Sequence, residues 1–381
     1  MSLRLAGLGW VTPLGSQVEE VWEKLLAGSE AAPTTVNSSL GEGSRPYRVC
    51  TVPTEAIADA ARYPRLRRSS VISRFAVVAG LRALRDAGLE LDEPGAARTA
   101  LVFAISNGGV IYTKRFYHEI VHVGATAASP LLFPETVFNA PASHLAAILG
   151  ITGVSYTLVG DGAVGILALK MAEDLMANPE LDRCLVVGAE EADWLLCDAY
   201  RRWRLLREEP PLEPFSRRPR GTILSEGAGA IMLDRQGSDL VLRKVHPGAN
   251  FPRQNDLARQ LDNICGDLPR EGPYDLLIAS ANGTFIDQAE RAAAAKHFAT
   301  AALYTPKPAL GESVAAGAIW QVICAALALR RQTLPPLLHA PRENGLTISE
   351  RLAEHDWQRA VVTTCGLNQQ VAALILERKS R

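Results

Sequence analysis

Few residues of this 381-residue chain that can do nucleophilic, acid–base or metal chemistry stand at useful spacings. The cysteines (Cys50, Cys184, Cys197, Cys265, Cys324 and Cys365) have no paired spacing. Most lie in apolar runs, such as RCLVVGA around Cys184 and QVICAALAL around Cys324, which is the setting of buried, reduced thiols. His118 and His122 are one helical turn apart, as in a metal chelate, but no third ligand accompanies them. His144 falls in the apolar segment NAPASHLAAILG and reads as a core or interface residue. Gly160-Asp161-Gly162 reads as a tight turn from strand to helix, with Asp161 as the N-cap. No zinc spacing, phosphate loop or dinucleotide fingerprint occurs, so no metal or cofactor is expected. Arginines cluster at 62–68, 201–207 and 217–220, patches that read either as solvated faces or as a docking surface for an acidic protein.

Several elements must position these groups. The chain is 48% hydrophobic and 21% charged with a formal net charge of −1. That balance supports a large core and provides no global field for nucleic acid or anionic membranes. The opening apolar stretch, MSLRLAGLGWVT, is short and reads as a strand, not a signal peptide. The run 136–160 is interrupted by polar residues and Pro141, and Ser313–Leu329 is short and alanine-rich, so no membrane span is expected. The expected localisation is cytoplasmic.

Short apolar runs predict strands at Arg4–Leu8, Thr99–Ile105, Ser155–Val159, Arg183–Gly188, Gly229–Asp234, Leu240–Val245, Leu276–Ala279, Ala302–Tyr304, Arg359–Thr364 and Val371–Leu376. Helical spacing predicts helices at Gln17–Ala27, Ser73–Ala87, Ala142–Leu149, Val164–Asn178, Trp194–Leu206, Asp287–His297, Val314–Leu329 and Ser349–Glu354. Two similar α/β blocks follow, 1–236 and 237–381, each with a mostly parallel sheet of about five strands. Asn37–Leu66 and Glu208–Thr222 read as surface loops.

Four segments resemble the beta-ketoacyl-acyl-carrier-protein synthases, the condensing enzymes of the thiolase fold: GLGWVTPLGSQVEEVWEKLLAG from Gly7, SRFAVVAGLRALRDAGL from Ser73, NAPASHLAAILGITGVSYTLVGDGAVGILALKMA from Asn139 and EPFSRRPRGTILSEGAGAIML from Glu213. They occur in the family's order and near its spacing. The resemblance implies two five-stranded sheets in an α-β-α-β-α layering. It also implies a chemistry built on a cysteine at a helix N-terminus and two histidines. None of the three is present. In TLVGDGAVG the cysteine's place is taken by Gly162, which has no nucleophile, and Asp161 adds a negative charge beside it. In ASANGTFIDQAE, Asn282 stands for the first histidine and cannot shuttle a proton near neutral pH. In KPALGESVAAG, Lys307 and Gly311 match the family but Glu312 replaces the second histidine, and its charge opposes an enolate. In TTCGLN the family's phenylalanine gate becomes Thr364 and one glycine becomes Cys365. Scaffold glycines remain at 153, 165, 227, 229, 311 and 317.

The pattern resembles the chain-length factors of type II polyketide synthases, silent sisters that form a heterodimer with an active ketosynthase. That likeness implies that Ser155–Val159 pairs across a two-fold axis and that acyl carrier protein, with its phosphopantetheine-bound chain, is a partner. It makes Val110, Tyr112, Phe116, Phe133 and Phe138 candidates for the tunnel or the interface. Two alternatives stay open. One is a divergent acyl-processing enzyme using Cys365 and Glu312, and the other is a self-pairing acyl-binding scaffold.

Overall fold

The computed structural model describes residues 3–37, 46–269, 271–341 and 356–379. Ten strands carry the architecture: β1 (Leu3–Val11), β2 (Thr99–Ile105), β3 (Ser155–Val159), β4 (Arg183–Glu190), β5 (Gly227–Asp234), β6 (Leu240–Val245), β7 (Leu276–Ile278), β8 (Ala302–Tyr304), β9 (Arg359–Cys365) and β10 (Gln370–Arg378). The first five lie in the order β3-β2-β4-β5-β1 and the second five in the order β8-β7-β9-β10-β6. Both halves thus follow the path third, second, fourth, fifth, first. In each half the fifth strand alone runs opposite to the others. The duplication absent from the residues is explicit in the topology. A short antiparallel contact, Leu3 and Arg4 against Leu242 and Val241, joins the halves into one continuous sheet.

Nine α-helices of eight or more residues are described: α1 (Val18–Leu26), α2 (Val71–Asp86), α3 (Val110–Val123), α4 (Ala140–Leu149), α5 (Val164–Leu175), α6 (Trp194–Arg202), α7 (Leu257–Gly266), α8 (Ile286–His297) and α9 (Gly317–Arg331). α9 is apolar around its whole circumference and every residue from Gly317 to Leu329 is buried, as befits a helix packed between layers. It contacts α5 and strands of both halves. Its approach needs glycine on the sheet, because a Cβ at Gly229 would lie 2.5 Å from Ile319 Cγ2. α2 covers the outer face of the first half, and α7 and α8 pack together against the second.

The structure corrects several sequence expectations. α3 and α7 were not anticipated. The stretch 37–66 is not all surface loop, since Pro46–Cys50 is a strand with Tyr47, Val49 and Cys50 buried, paired with Thr34–Asn37 and with Leu224–Ser225. α6 ends at Arg202 and not at Leu206, because Arg204 takes a left-handed φ of 59° that stops the helix. The helix expected at Ser349–Glu354 lies outside the described residues. All six cysteines are buried and free, and no described helix is long and apolar enough to cross a membrane.

Candidate functional site

Every position singled out by the missing side chains reaches one place, where the carboxyl ends of β3, β7 and β9 meet the turn Lys307–Glu312. The Gly160–Ala163 turn leads β3 into α5. Gly162 faces backbone: a Cβ there would lie 3.1 Å from Gly366 Cα and 3.2 Å from the Cys365 carbonyl oxygen. The space a nucleophilic side chain needs is bordered by the turn that follows β9.

Glu312 and Lys307 are both 4% exposed, and Lys307 Nζ lies 2.6 Å from Glu312 Oε2. The same oxygen accepts a 2.7 Å hydrogen bond from Asn282 Nδ2. Asn282 Oδ1 in turn accepts from the Thr284 hydroxyl at 2.6 Å. Lys307 also donates to Ser280 Oγ at 3.1 Å, and that hydroxyl accepts from the Cys365 amide at 2.9 Å. The two residues in the histidine positions are therefore bonded to each other. The negative charge of Glu312 is offset by an ammonium, which changes the sequence expectation of a bare anion. The turn is pinned through its backbone as well, because Glu312 N–H donates to the Ile223 carbonyl and its own carbonyl accepts from Ser225 N–H.

Two buried carboxyls lie behind this layer. Asp287 accepts from the amides of Phe215, Asn282 and Gly283, and burial pushes its pKa up to about 6. Glu290 accepts from Ser280 N–H and from the Thr363 hydroxyl. Cys365 Sγ lies 3.5 Å from Glu290 Oε1. Burial first, and then the charge of Glu290, hold that thiol well above its ordinary range. A thiol in that state is not an activated nucleophile. Thr364, in the gate position, is fully buried and its hydroxyl has no hydrogen-bond partner.

Asp161 is not the N-cap expected from the sequence, a place taken by Ala163, and its carboxylate has a different task. Its Oδ1 receives the Ala163 amide at a long 3.4 Å, while Oδ2 receives the Asn368 amide at 2.8 Å. Gln370 Oε1 accepts the Asp161 N–H at 3.0 Å. The carboxylate thus joins the start of α5 to the turn after β9, and burial raises its pKa to about 6.

The remaining candidates lie on another face. Val110, Tyr112 and Phe116 are on α3, none of whose residues is buried. The Tyr112 hydroxyl donates to the Ser69 carbonyl at 3.1 Å. The Phe116 and Phe133 ring centroids are 5.7 Å apart. Phe133 and Phe138 are exposed. His144, on α4, is held between Glu135 Oε1 at 2.7 Å and Arg65 Nε at 3.1 Å. His118 and His122 stack with their ring centroids 4.2 Å apart, and no metal-ligand cluster of three or more groups occurs among the described residues. Among the described residues, every exposed large apolar side chain except Trp203 lies between Tyr117 and Val159. β3, the edge strand of its sheet, presents Tyr156 and Val159 there.

Sequence reasoning missed Ser280, which was visible only as part of a motif, and Glu190. Glu190 is completely buried at the end of β4 and accepts from the Ser106 and Asn107 amides ahead of α3. Burial raises its pKa to about 8.

Residues 4–238 match the family described as beta-ketoacyl synthase, N-terminal domain, and residues 270–341 match its C-terminal domain. The chain belongs to the beta-ketoacyl synthase family. Its relatives include 3-oxoacyl-[acyl-carrier-protein] synthase 2 of Vibrio cholerae, 24% identical over 60% of this chain and 57% of that protein. The chain therefore spans under two thirds of the length of this relative. A polyketide biosynthesis malonyl-ACP decarboxylase of Bacillus subtilis is 26% identical over 98% of this chain and 95% of that protein. Similar solved structures include the ishigamide ketosynthase/chain length factor, with a TM-score of 0.85, 22% identity, and coverage of 100% of this chain and 99% of that one. Another is the ketosynthase ApeO in complex with its chain length factor ApeC from Xenorhabdus doucetiae, with a TM-score of 0.81, 18% identity, and coverage of 99% and 98%. At these identities the solved structures establish the thiolase-like fold. The family match establishes a beta-ketoacyl synthase-like chain.

Proposed function

We propose that this beta-ketoacyl synthase family member is a catalytically silent, chain-length-factor-like subunit. In this reading it pairs with an active ketosynthase and shapes that partner's acyl tunnel during polyketide, aryl polyene or fatty-acid-like biosynthesis in the cytoplasm. The observation that supports the pairing is that every exposed large apolar side chain of the described residues except Trp203 falls on α3, on the 131–138 segment or on residues 154–159 at the open edge of β3. A monomer has no use for a concentration of exposed Tyr, Phe, Leu and Val on one side. Val110, Tyr112, Phe116, Phe133 and Phe138 all belong to that face or its border, where they can contribute to a shared tunnel wall. The silence is supported by Gly162, by the mutual bonding of Asn282, Glu312 and Lys307, and by a Cys365 thiol too basic to attack. Exposed arginines at 67, 68, 218 and 220 fit the acidic surface of a carrier protein.

Co-expression with the ketosynthase encoded nearest to it tests the pairing. The expected result is a 1:1 complex by size-exclusion chromatography with light scattering. A stable, monodisperse homodimer that never exchanges with that ketosynthase refutes it. The full-length match to a malonyl-ACP decarboxylase favours one second reading, malonyl decarboxylation. The donors an enolate would need are engaged: Asn282 Nδ2 and Lys307 Nζ both serve Glu312. Carbon dioxide release from malonyl-carrier protein by the isolated chain would reinstate that reading.

A further inference from the structure

We propose that the pocket between α3 and the start of α6 receives an acidic side chain of the partner subunit, with Arg115 as its counter-ion. The inference rests on the pairing reading above and adds the chemistry that this part of the interface has to supply.

The pocket measures about 420 Å³. Ile111, Lys114, Arg115, His118 and Glu119 of α3 line it, and Trp194, which is 8% exposed, closes it from α6. Spacings of three and four residues put those α3 side chains on one side of the helix. Lys114 Nζ lies over the Trp194 ring, 4.4 Å from its centroid. Glu119 is the one acidic residue of the lining, and its Oε2 already accepts the Ser129 amide at 2.9 Å. Asp193 Oδ1 accepts the Leu195 and Leu196 amides at the start of α6, and its carboxylate also faces the charge of Lys114. Arg115 is different. Its guanidinium lies 5.9 Å from the Tyr112 ring centroid and forms no ion pair with a carboxylate of the described residues. That is tolerable while the side chain is exposed to water.

A partner that covers α3 changes the balance. Tyr117 is 62% exposed and Val121 72%. They lie three residues from Lys114 and His118, so the apolar surface that calls for a partner borders the pocket. Burying it takes water from Arg115 as well, and an unpaired guanidinium inside an interface is strongly unfavourable. The chain does not supply the anion, so the partner has to. A carboxylate matches the planar guanidinium fork, and Lys114 adds a second positive charge beside it. Arginine and tryptophan are also the side chains that concentrate binding energy in interfaces. The occupant is therefore an Asp or Glu side chain on the ketosynthase surface that docks against α3.

The test uses the full chain with the ketosynthase encoded nearest to it. Arg115→Glu, with an unchanged circular dichroism spectrum, is expected to weaken pairing by about 10-fold or more, while Arg115→Lys, which keeps the charge, should lose several-fold less. Carbodiimide condenses an amine with a carboxyl group to an amide, the water lost going to the reagent. In the wild-type complex it is expected to join Lys114 to an Asp or Glu of the ketosynthase, in a peptide identified by mass spectrometry. Pairing by Arg115→Glu as tight as wild type overturns the proposal and leaves the pairing standing. Equal weakening by the two variants also overturns it, because shape and not charge would then matter. So does a Lys114 that cross-links only within this chain, to a second copy of it, or not at all. Absence of any complex with the wild type sinks the pairing and the pocket's role together.

Discussion

Removing either charge of the Lys307–Glu312 pair, and then both, separates a compensated site from a merely vacant one. The groups are 2.6 Å apart and 4% exposed. At an effective dielectric constant of about 20 their attraction is ~6 kcal/mol. Desolvation of the two ions offsets several kcal/mol of that, so the intact pair is close to neutral in net stability. Removing one partner is different, because it strands the other charge. Lys307→Met and Glu312→Leu are each expected to cost roughly 3–5 kcal/mol. The double variant strands no charge. Ser280 Oγ keeps its bonds to the Cys365 backbone, and only Asn282 Nδ2 loses its acceptor, at a cost of about 1–3 kcal/mol. The double variant should therefore be more stable than either single one, with a coupling energy of at least ~3 kcal/mol. Urea midpoints followed by tryptophan fluorescence and circular dichroism, compared where the two transitions coincide, measure the cycle. Additive single costs would refute the reasoning, because they would mean that the two groups do not compensate each other.

Three further outcomes are expected. Tyr156→Lys with Val159→Lys places charge on the open edge of β3 and should weaken pairing by at least 10-fold, with monomeric mass and an unaltered circular dichroism spectrum; an unchanged complex would move the interface elsewhere. Gly366→Ala should destabilise the chain by about 2 kcal/mol or more through overpacking against Asp161, and adding Asp161→Gly should restore much of the loss in a thermal melt. Glu190 has a folded pKa of about 8, above its unfolded value near 4.5, so the folded state binds the extra proton in between. Its contribution to stability is fully present below about pH 4.5 and is lost as pH rises through 8. Glu190→Gln should flatten that part of the stability–pH profile, and an identical slope would contradict the assignment.

The strands were legible from local apolar runs, whether or not the run is buried. Strands Thr99–Ile105, Ser155–Val159, Leu240–Val245 and Ala302–Tyr304 are found at their expected bounds, because short apolar runs ended by glycine or charge leave little choice of register. α3 was missed although its sequence carries apolar residues along its length, none of them buried within the chain. α7 has Leu257, Leu261, Ile264 and Cys265 buried at helical spacing, and could have been found. The strand at Pro46–Cys50 was hidden by its proline and arginine neighbours. Gly162, Asn282 and Glu312 were located through the family's motifs. Their partners were not, since nothing in a sequence places Asn368 against Asp161 or makes Lys307 a counter-ion and not only a motif match.

Those partners bear on whether the proposed silence is decay. Random loss of a nucleophile and two histidines would leave vacancies and orphaned polar atoms, each costing about 1–3 kcal/mol when buried. The replacements here fit one another. Glu312 is tolerable because Lys307 and Asn282 donate to it. Asp161 is tolerable because Asn368 and Ala163 supply amides and because position 366 is glycine. Glu312 and Asp161 each need a second residue to be stable, and for both that residue is present, whereas the Thr364 hydroxyl is buried without a hydrogen-bond partner. The backbone of Glu312 also keeps the turn Lys307–Glu312 clamped to Ile223 and Ser225, which preserves the local architecture. Such complementarity supports the proposal of a subunit kept for its shape.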